Sequence, residues 1–355
     1  MVEEGPRYPV RADDLRAFVA AALRSVDVPE DDATDVAALM VEADLQGYDT
    51  HGVFRLRQYV DRLLCGGTNA KATARVVRET AATAVVDGDN GLGHLAMRRA
   101  AEVAIAKARD AGIGWVGVRN NNHAGPLALY VRPQLDAGMI GLAAAVGSAN
   151  HVPPYGGTDL LLGTNPIAVA VPGGSDEPFV LDMATTIASA GKIKTLAQRG
   201  EAMPEGWMVG RDGRPLTDPK RQKEGFLLPI GGPKGYGLAL AVGLLAGVLN
   251  GGACGSNVVD FTRDVGTPAN TGQFVVAIAV DAFGDAGAFN DNIQALFAEL
   301  RASTPLPHHP TVRIPGEGRA ANRAERTRSG VPLHPALRQE LAVIASERGV
   351  PPLAA

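Results

Sequence analysis

The stretch GIGWVG, residues 112–117, decides how the fold of this chain has to be interpreted. Its spacing matches G-x-G-x-x-G, the glycine pattern that brings the pyrophosphate of a dinucleotide to a helix N-terminus when it follows a strand and precedes a helix. Here the order is reversed, because a helical pattern ends at Ala111 and a strand-like run begins at Trp115. We therefore interpret Gly112 as a helix C-cap and assign Gly114 and Gly117 to a turn and a strand. The motif argues against a Rossmann fold, and a dinucleotide, if one binds, must be held in another way.

Working outward from this stretch, short strands alternate with helices. Strands are predicted at residues 84–86, 115–118, 140–146, 167–171, 179–181 and 274–278, and helices at residues 95–111, 127–137, 236–249 and 288–302. Such alternation predicts an α/β domain, which we place at residues 72–302. The pattern leaves the order and the directions of the strands open.

Both ends of the chain have helical patterns instead. Apolar residues recur at helical spacing over residues 12–25, from Pro29 to Gly47, and from a cap at Asp49 or Thr50 to Leu64, and further helices are predicted at 320–328 and 335–348. We predict that residues 1–71 form a helical subdomain and that the C-terminal segment, residues 303–355, packs back onto it. The α/β domain would then be inserted between the two helical parts.

Composition and charge narrow the class of protein. The 34 basic and 38 acidic residues give a formal net charge of −4, and there is no basic block of the kind that follows a phosphate backbone, so we expect no nucleic-acid partner. Cys65 and Cys254 have neither metal-ligand nor disulfide spacing, which fits a reducing compartment. Residues 1–10 lack the apolar core of a secretory signal, and the apolar run at 238–249 is too short to span a bilayer. We expect a cytoplasmic protein with no membrane partner.

The first stretch whose side chains could bind or react with a substrate is DTHGVFR, residues 49–55. His51 and Arg55 are four residues apart, so they share one face if the segment is helical. An arginine can grip a substrate carboxylate with two hydrogen bonds, and a histidine can exchange a proton with an adjacent oxygen. The alternative is a capped surface helix with an incidental pair, and spacing alone favours that alternative.

A second stretch, NNNHAGP at residues 120–126, follows a predicted strand and precedes a helix. This places His123 on a loop at the carboxyl end of a strand, where catalytic groups of α/β proteins commonly lie. Three consecutive asparagines favour left-handed turns and side-chain hydrogen bonds. A catalytic histidine and a structural histidine in a polar turn fit this pattern about equally well.

Two further stretches join strands to loops. The segment 147–166, rich in Gly, Pro and Asn, predicts a long ordered loop, in which His151 is interpreted as a hydrogen-bonded loop residue. In LDMATT, residues 181–186, Asp182 lies at a strand end before a helix. Its carboxylate can orient a histidine, accept a hydrogen bond from a ribose hydroxyl, or cap the helix, and the cap fits equally well.

The last stretch, GGPKGYG at residues 231–237, precedes a helix. Its glycines expose N–H groups at a helix N-terminus and Lys234 adds a positive charge, so it predicts an anion site suited to a pyrophosphate, although the spacing is not that of a P-loop. The remaining histidines are interpreted as structural or exposed: His94, His308, His309 and His334. No group of His, Cys, Asp and Glu has a metal-ligand spacing, so we expect no metal.

Taken together and in this order, the five stretches resemble the malate/L-lactate dehydrogenase family of the second type, over residues 10–352. That family also contains ureidoglycolate, sulfolactate and diketogulonate oxidoreductases and the piperideine- and pyrroline-2-carboxylate reductases. The resemblance implies dependence on NAD or NADP, a non-Rossmann α/β cofactor domain with a mixed sheet, a helical subdomain, and a homodimer. It also implies a small-molecule carboxylate as substrate.

The resemblance assigns roles to individual residues. His51 and His123 match the positions of the family's catalytic histidines, and Arg55 matches its carboxylate-binding arginine, with Thr50 where many members have serine. The positions that match the family's cofactor contacts are Ser148, Asp182, Met183, Ala184, Lys234, Gly316 and Glu317. Ala124 stands where many members have an aromatic residue, so the substrate of no single member can be transferred.

The sequence therefore predicts an oxidoreductase that interconverts a 2-hydroxy acid and a 2-oxo acid by hydride transfer, with a histidine moving the proton and Arg55 holding the carboxylate. Two alternatives remain open. One is reduction of the C=N bond of a cyclic 2-imino acid. The other is a dinucleotide-binding sensor with weak catalysis.

Overall fold

The computed structural model describes residues 8–353, apart from the side chains of residues 198 and 199. The prediction about a secretory signal concerns residues 1–10, and the first seven of these lie outside the described residues. The helices are α1 Ala12–Arg24, α2 Glu30–Leu45, α3 Leu56–Leu64, α4 Gly93–Ala111, α5 Ala128–Asp136, α6 Ala190–Arg199, α7 Pro233–Val242, α8 Ala286–Ala302, α9 Glu317–Ser329 and α10 Pro335–Arg348. The strands are β1 Tyr8–Val10, β2 Arg75–Glu79, β3 Thr83–Asp87, β4 Ile113–Arg119, β5 Met139–Ala145, β6 Ile167–Val171, β7 Phe179–Met183, β8 Met208–Gly210, β9 Gly225–Leu227, β10 Gln273–Ala279 and β11 Val331–Leu333.

The main sheet is mixed, which confirms the predicted fold class. Within the described chain it has seven strands in the order β2-β3-β4-β10-β5-β6-β7. Strands β3 and β4 run parallel, and every other neighbouring pair in this sheet is antiparallel. A Rossmann sheet is largely parallel, so this topology agrees with the exclusion drawn from the glycine motif.

The glycines of that motif serve helix–strand packing. Gly112 has a φ of +76° and ends α4 in the left-handed conformation, as predicted. Gly114 lies in β4 and not in a turn. A Cβ there would come within 2.1 Å of the Ala104 carbonyl oxygen, so glycine allows α4 to lie close against the strand.

Each face of the sheet carries its own apolar core. On one face, α4 and α5 bury side chains such as Met97 and Tyr130 against strand residues such as Val275. On the other face, Phe274 and Val276 pack against Val242 of α7 and the turn that follows it. The strands are thus covered on both sides, which explains why they read as nearly continuous apolar runs.

A separate core joins both ends of the chain. Leu15, Met40 and Leu56, from α1 to α3, lie in one buried cluster with Leu341 and Ile344 of α10. Strand β1 pairs antiparallel with β11 and extends this contact. The C-terminal segment therefore packs on the N-terminal helices, while the division of the chain at residues 71 and 302 stays a prediction.

Several sequence-based boundaries were wrong. The third helix begins at Leu56 and not at a cap on Asp49 or Thr50, because residues 48–52 form turns and Val53–Arg55 a short 3₁₀ helix. Strand β2 was missed because it lies at an edge and is mostly exposed, without an apolar run. The short pairs β1–β11 and β8–β9 were missed as well, and α6 was predicted only as a helix after residues 181–186, without bounds. None of the helices within residues 8–353 is long and apolar enough to cross a membrane.

Candidate active site

His51 lies in a turn between α2 and α3, which corrects the helical geometry assumed for its pairing with Arg55. The His51 N–H donates to the Tyr48 carbonyl at 2.7 Å. Arg55 reaches back over the turn, and its Nε donates to the Thr50 carbonyl at 2.9 Å. The two side chains are neighbours because the turn folds them together, and not because they share a helical face.

The buried carboxylate of Asp44 supports this turn from beneath. Its Oδ2 accepts the Val53 N–H at 2.8 Å, and Gly52 packs so closely that a Cβ would lie 2.2 Å from the Asp44 Cγ. Burial, as the largest cause, raises the pKa of Asp44 well above its usual value. Gly52 therefore has to be a glycine, because any side chain at this position would clash with Asp44.

The three asparagines before His123 hold the loop in place. Asn120 adopts a left-handed φ of +47°, Asn121 donates to the Gln273 Oε1, and Asn122 donates to the Gly91 carbonyl at 2.9 Å. These bonds tie the end of β4 to β10 and to the loop before α4. A non-glycine residue in the left-handed region is held there by such surrounding contacts.

The structure brings the two predicted histidines together. The ring centroids of His51 and His123 are 5.7 Å apart and the rings are stacked. On its other side, His123 stacks on Phe261 with centroids 5.0 Å apart. Both histidines are half-buried, so part of each side chain remains exposed to solvent.

Hydrogen bonds at the ring nitrogens orient both imidazoles. The Tyr59 hydroxyl lies 2.7 Å from the Nδ1 of His123, and the Gly125 N–H donates to the same nitrogen at 3.3 Å. Because an N–H can only donate, this bond assigns the lone pair of neutral His123 to Nδ1 and its hydrogen to Nε2. The Thr50 hydroxyl lies 2.8 Å from the Nδ1 of His51 and can either donate or accept.

The pocket favours neutral histidines. Burial first, and then the charges of Arg55 and Arg319, lower the pKa of His51 to about 3. Burial first, and then Arg55, His51 and His94, lower the pKa of His123 well below its usual value. Among residues 8–353, Arg55 has no carboxylate partner, so its guanidinium is available to an anion.

His94 lies behind the pair as a buried residue. Its side chain is 0% exposed, and neither ring nitrogen has a hydrogen-bond partner in the described part of the chain. The ring meets Tyr59 edge-on with centroids 5.4 Å apart. Burial lowers the pKa of His94 to about 3. The sequence allowed His94 to be either a structural or an exposed residue, and the structure shows that it is a buried structural one.

Asp182 caps a helix, but not the helix that follows it. Its Oδ2 accepts the Ala128 N–H at 2.8 Å, in the first turn of α5. Burial, as the largest cause, raises the pKa of Asp182 to about 6. Because α5 begins five residues after His123, this bond places the end of β7 beside the histidine loop. Met183 and Ala184 continue from it, both half-buried.

Backbone hydrogen bonds place the other residues predicted to contact the cofactor. The Val180 N–H donates to the Pro315 carbonyl, which places the Gly316 turn beside the start of β7. The Ile230 N–H donates to the Thr185 carbonyl, which places the segment leading to Lys234 nearby. The Ser148 carbonyl accepts the Phe261 N–H at 3.0 Å, so Ser148 lies next to the residue that stacks on His123.

The residues present fit a dinucleotide. Gly231 and Gly232 have positive φ angles, a Cβ on Gly232 would meet open space, and Lys234 lies exposed in the first turn of α7, so this helix end can receive an anion. A groove of about 470 Å³ is lined by Gly316, Arg319 and their neighbours. The Glu317 carboxylate is bound by Arg301 and the Ile314 N–H, so this side chain fixes the turn.

The sequence did not point to Tyr59, Phe261 or Asp44. Tyr59 stands four residues after Arg55, and this helical spacing was a usable signal. Phe261 comes from a loop 138 positions after His123, and nothing in its local sequence marks it. Within residues 8–353 no group of three or more His, Cys, Asp or Glu side chains could hold a metal ion.

Comparison with known proteins gives one family. The model for malate/L-lactate dehydrogenase matches residues 10–342. Malate dehydrogenase from Pyrococcus horikoshii is 38% identical over 96% of both chains, and a solved structure of malate dehydrogenase from that organism covers 99% of this chain and 98% of its own with a TM-score of 0.90 and 35% identity. L-sulfolactate dehydrogenase from Methanocaldococcus jannaschii is 36% identical over 96% of this chain and 97% of its own. A Δ1-pyrroline-2-carboxylate reductase from Ancylobacter novellus is 33% identical over 94% and 97%.

Proposed function

The chain belongs to the malate/L-lactate dehydrogenase family, and from that premise we propose that its paired-histidine pocket reduces a 2-oxo acid, or oxidises the corresponding 2-hydroxy acid. The chain is an oxidoreductase, and its family implies a nicotinamide cofactor. One observation carries the assignment of the site. A guanidinium without a carboxylate partner among the described residues, that of Arg55, lies beside two stacked imidazoles.

Each group of the pocket has a role in this proposal. Arg55 binds the substrate carboxylate, for which its planar fork is suited. One of His51 and His123 supplies the proton to the substrate oxygen during reduction and removes it during oxidation. Tyr59 holds the ring of His123 through Nδ1. The bound cofactor supplies or accepts the hydride.

The cofactor would lie along the end of β7. Ser148, Asp182 to Ala184 and the Gly316 turn would contact it near the histidines, and Lys234 at the N-terminus of α7 would meet its pyrophosphate. Because the Glu317 carboxylate is bound within the turn, we assign its cofactor contact to the backbone. Whether NAD or NADP is preferred stays open, and both belong in the assay.

The test is oxidation of NADH and NADPH with pyruvate, oxaloacetate, a longer 2-oxo acid, a diketo sugar acid and a cyclic 2-imino acid. Turnover should fall by at least about a hundredfold in the variant that lacks the proton-moving histidine, His51→Gln or His123→Gln. His309→Gln is the matched control, because His309 is exposed and lies outside the pocket. Full turnover in both pocket variants would refute the site, and cofactor binding without turnover of any compound would favour a sensor.

Reduction of a cyclic 2-imino acid is the second candidate. It is favoured by the likeness to the pyrroline-2-carboxylate reductase, and the pocket can hold such a substrate in the same way, by its carboxylate at Arg55. The imine nitrogen would take up a proton, and the carbon of the resulting iminium would receive the hydride, which gives the cyclic amine with that proton on nitrogen. Activity on the imine with none on any 2-oxo acid of the panel would select it.

We also propose a homodimer and a cytoplasmic location. The homodimer is supported by a band of exposed apolar side chains after α7, formed by Leu244, Leu245, Val248 and Leu249, which are 41–64% exposed. Light scattering of the purified protein tests it, and a monomeric mass would contradict it. The location is supported by Cys65 and Cys254, which are both free thiols.

A further inference from the structure

The charges around the paired histidines are of one sign. The Arg55 guanidinium lies 5.8 Å from the centre of the Phe261 ring, which stacks on His123. Its Nε donates to the carbonyl of Thr50, whose hydroxyl contacts His51. The charge of Arg55 opposes protonation of both rings, and that of Arg319 also opposes protonation of His51. No carboxylate among residues 8–353 forms an ion pair with either imidazole. The carboxylates of the neighbouring elements are bound elsewhere: Asp44 to the Val53 N–H, Asp49 to Arg326, Asp182 to the Ala128 N–H, and Asp260 to Thr262 and Arg263. The uncharged groups in contact with the two rings are Thr50, Tyr59 and Phe261.

This arrangement leaves the site without a proton to deliver before substrate binds. Reduction of a 2-oxo acid consumes one hydride and one proton, so that the C=O double bond becomes a C–H bond and an O–H bond. The proton must come from an imidazolium, but burial first, and then the charge of Arg55, disfavour the charged form of both histidines. Arg55 thus binds the substrate and at the same time disfavours the charged histidine.

We propose that the substrate carboxylate is itself the counter-ion that allows one histidine to become protonated, so that the site takes up a proton from solution when the carboxylate binds Arg55. The inference rests on the proposed function. In the reduction direction the proton passes from solvent to the imidazole on binding, and from the imidazole to the substrate oxygen as hydride reaches the carbon. In the oxidation direction the same steps run in reverse, and the proton is released with the 2-oxo acid.

A carboxylate bound to Arg55 changes the pKa of a neighbouring histidine enough to allow its protonation. A carboxylate on Arg55 neutralises the charge that opposes protonation, and one unit charge about 4 Å from an ionisable group changes its pKa by about 3 in a partly screened protein site. Neutralising Arg55 therefore raises the pKa of His51 from its substrate-free value of about 3 toward its ordinary range. His123 is subject to the same charge of Arg55, so either ring can be the one that is protonated.

The experiment uses oxamate, an unreactive analogue of a 2-oxo acid, titrated into the protein saturated with NADH or NADPH. Binding heats measured in MES and in Bis-Tris, whose ionisation enthalpies differ, give the number of protons taken up. We expect uptake near zero at pH 8 that rises to about half a proton or more near pH 6, with a matching increase in oxamate affinity. Oxamate binding without uptake at any pH from 5.5 to 8 would overturn the proposal.

Variants identify where the proton goes. Either His51→Gln or His123→Gln should abolish the uptake while the other retains it. His309→Gln is the control, because His309 is exposed and lies outside the pocket, and it should retain the uptake. Loss of uptake in His309→Gln, or its retention in both histidine variants, would overturn the proposal. If 2-oxo acids are reduced but oxamate binds without proton uptake, this inference fails and the proposed function stands. If oxamate does not bind and no compound of the panel reacts, the proposed function fails and this inference fails with it.

Discussion

A methyl group on Gly52 would occupy the space of the Asp44 carboxylate. The Cβ of Gly52→Ala would lie 2.2 Å from the Asp44 Cγ and 2.3 Å from its Oδ2, far inside van der Waals contact. Asp44 cannot simply rotate away, because it is buried and accepts the Val53 N–H at 2.8 Å. Either the turn moves or the hydrogen bond breaks.

The expected loss follows from these two contacts. Overpacking in a buried site costs about 1–3 kcal/mol, and loss of a hydrogen bond to a buried carboxylate adds about 1.5–3 kcal/mol. We expect Gly52→Ala to lower the free energy of unfolding by about 3 kcal/mol. Because the same turn carries His51, a shift of about 1 Å should also lower kcat/KM by about a hundredfold.

Urea unfolding and kcat/KM measure the two effects, and a double-mutant cycle tests their cause. In an Asp44→Ala background the methyl group has room, so Gly52→Ala should cost about 1 kcal/mol or less there, a coupling of about 2 kcal/mol. Gly284→Ala is the control, since a Cβ on Gly284 would meet no atom within 4 Å, and it should change stability by less than about 0.5 kcal/mol. An equal loss from Gly52→Ala in both backgrounds would refute the reasoning.

Tyr59→Phe removes the hydroxyl at the Nδ1 of His123 and should lower kcat about tenfold with cofactor affinity unchanged; unchanged kcat would exclude a positioning role. Arg55→Lys keeps the charge but loses the planar fork, so the KM for the 2-oxo acid should rise about tenfold or more while the Kd of the cofactor stays the same; an unaltered KM would place the carboxylate elsewhere. The folded state raises the pKa of Asp182 from 3.8 to about 6, so it binds more protons than the unfolded state between these values and loses stability as pH rises through them. Asp182→Asn should remove this part of the pH dependence in urea unfolding between pH 4 and 7, and an unaltered slope would contradict the assignment.

Local signals predicted most of the fold well. The helix of residues 95–111 ends at a glycine that the structure shows in the left-handed conformation, and the predicted helix at 335–348 has the observed bounds. Periodicity and caps act over a few residues, so the sequence displays them directly. Edge strand β2 and the short pair β1–β11 were not predicted, because they are strands by virtue of the segments with which they pair and not of their own composition.

The sequence predicted which residues form the candidate site better than it predicted how those residues are arranged. The family resemblance selected His51, His123 and Arg55, where spacing alone favoured an incidental pair, and the helical face that would unite His51 with Arg55 does not exist. A cap on the following helix was one of the roles left open for Asp182, and in the structure it caps α5 instead. The contacts that complete the pocket, above all Phe261 against His123, join residues far apart in the chain, and only the folded sheet and its loops bring them together.

The pairing of β1 with β11 and the burial of α10 against α1 and α3 have a consequence for how the chain folds. During synthesis, the first three helices emerge long before Leu341 and Ile344, which fill their core. The turn that bears His51 therefore lies on a helical unit whose core is complete only after residue 344 has been synthesised. Contacts between such distant residues slow folding, so we infer that the pocket acquires its final shape late, after the central sheet has formed around its own two cores.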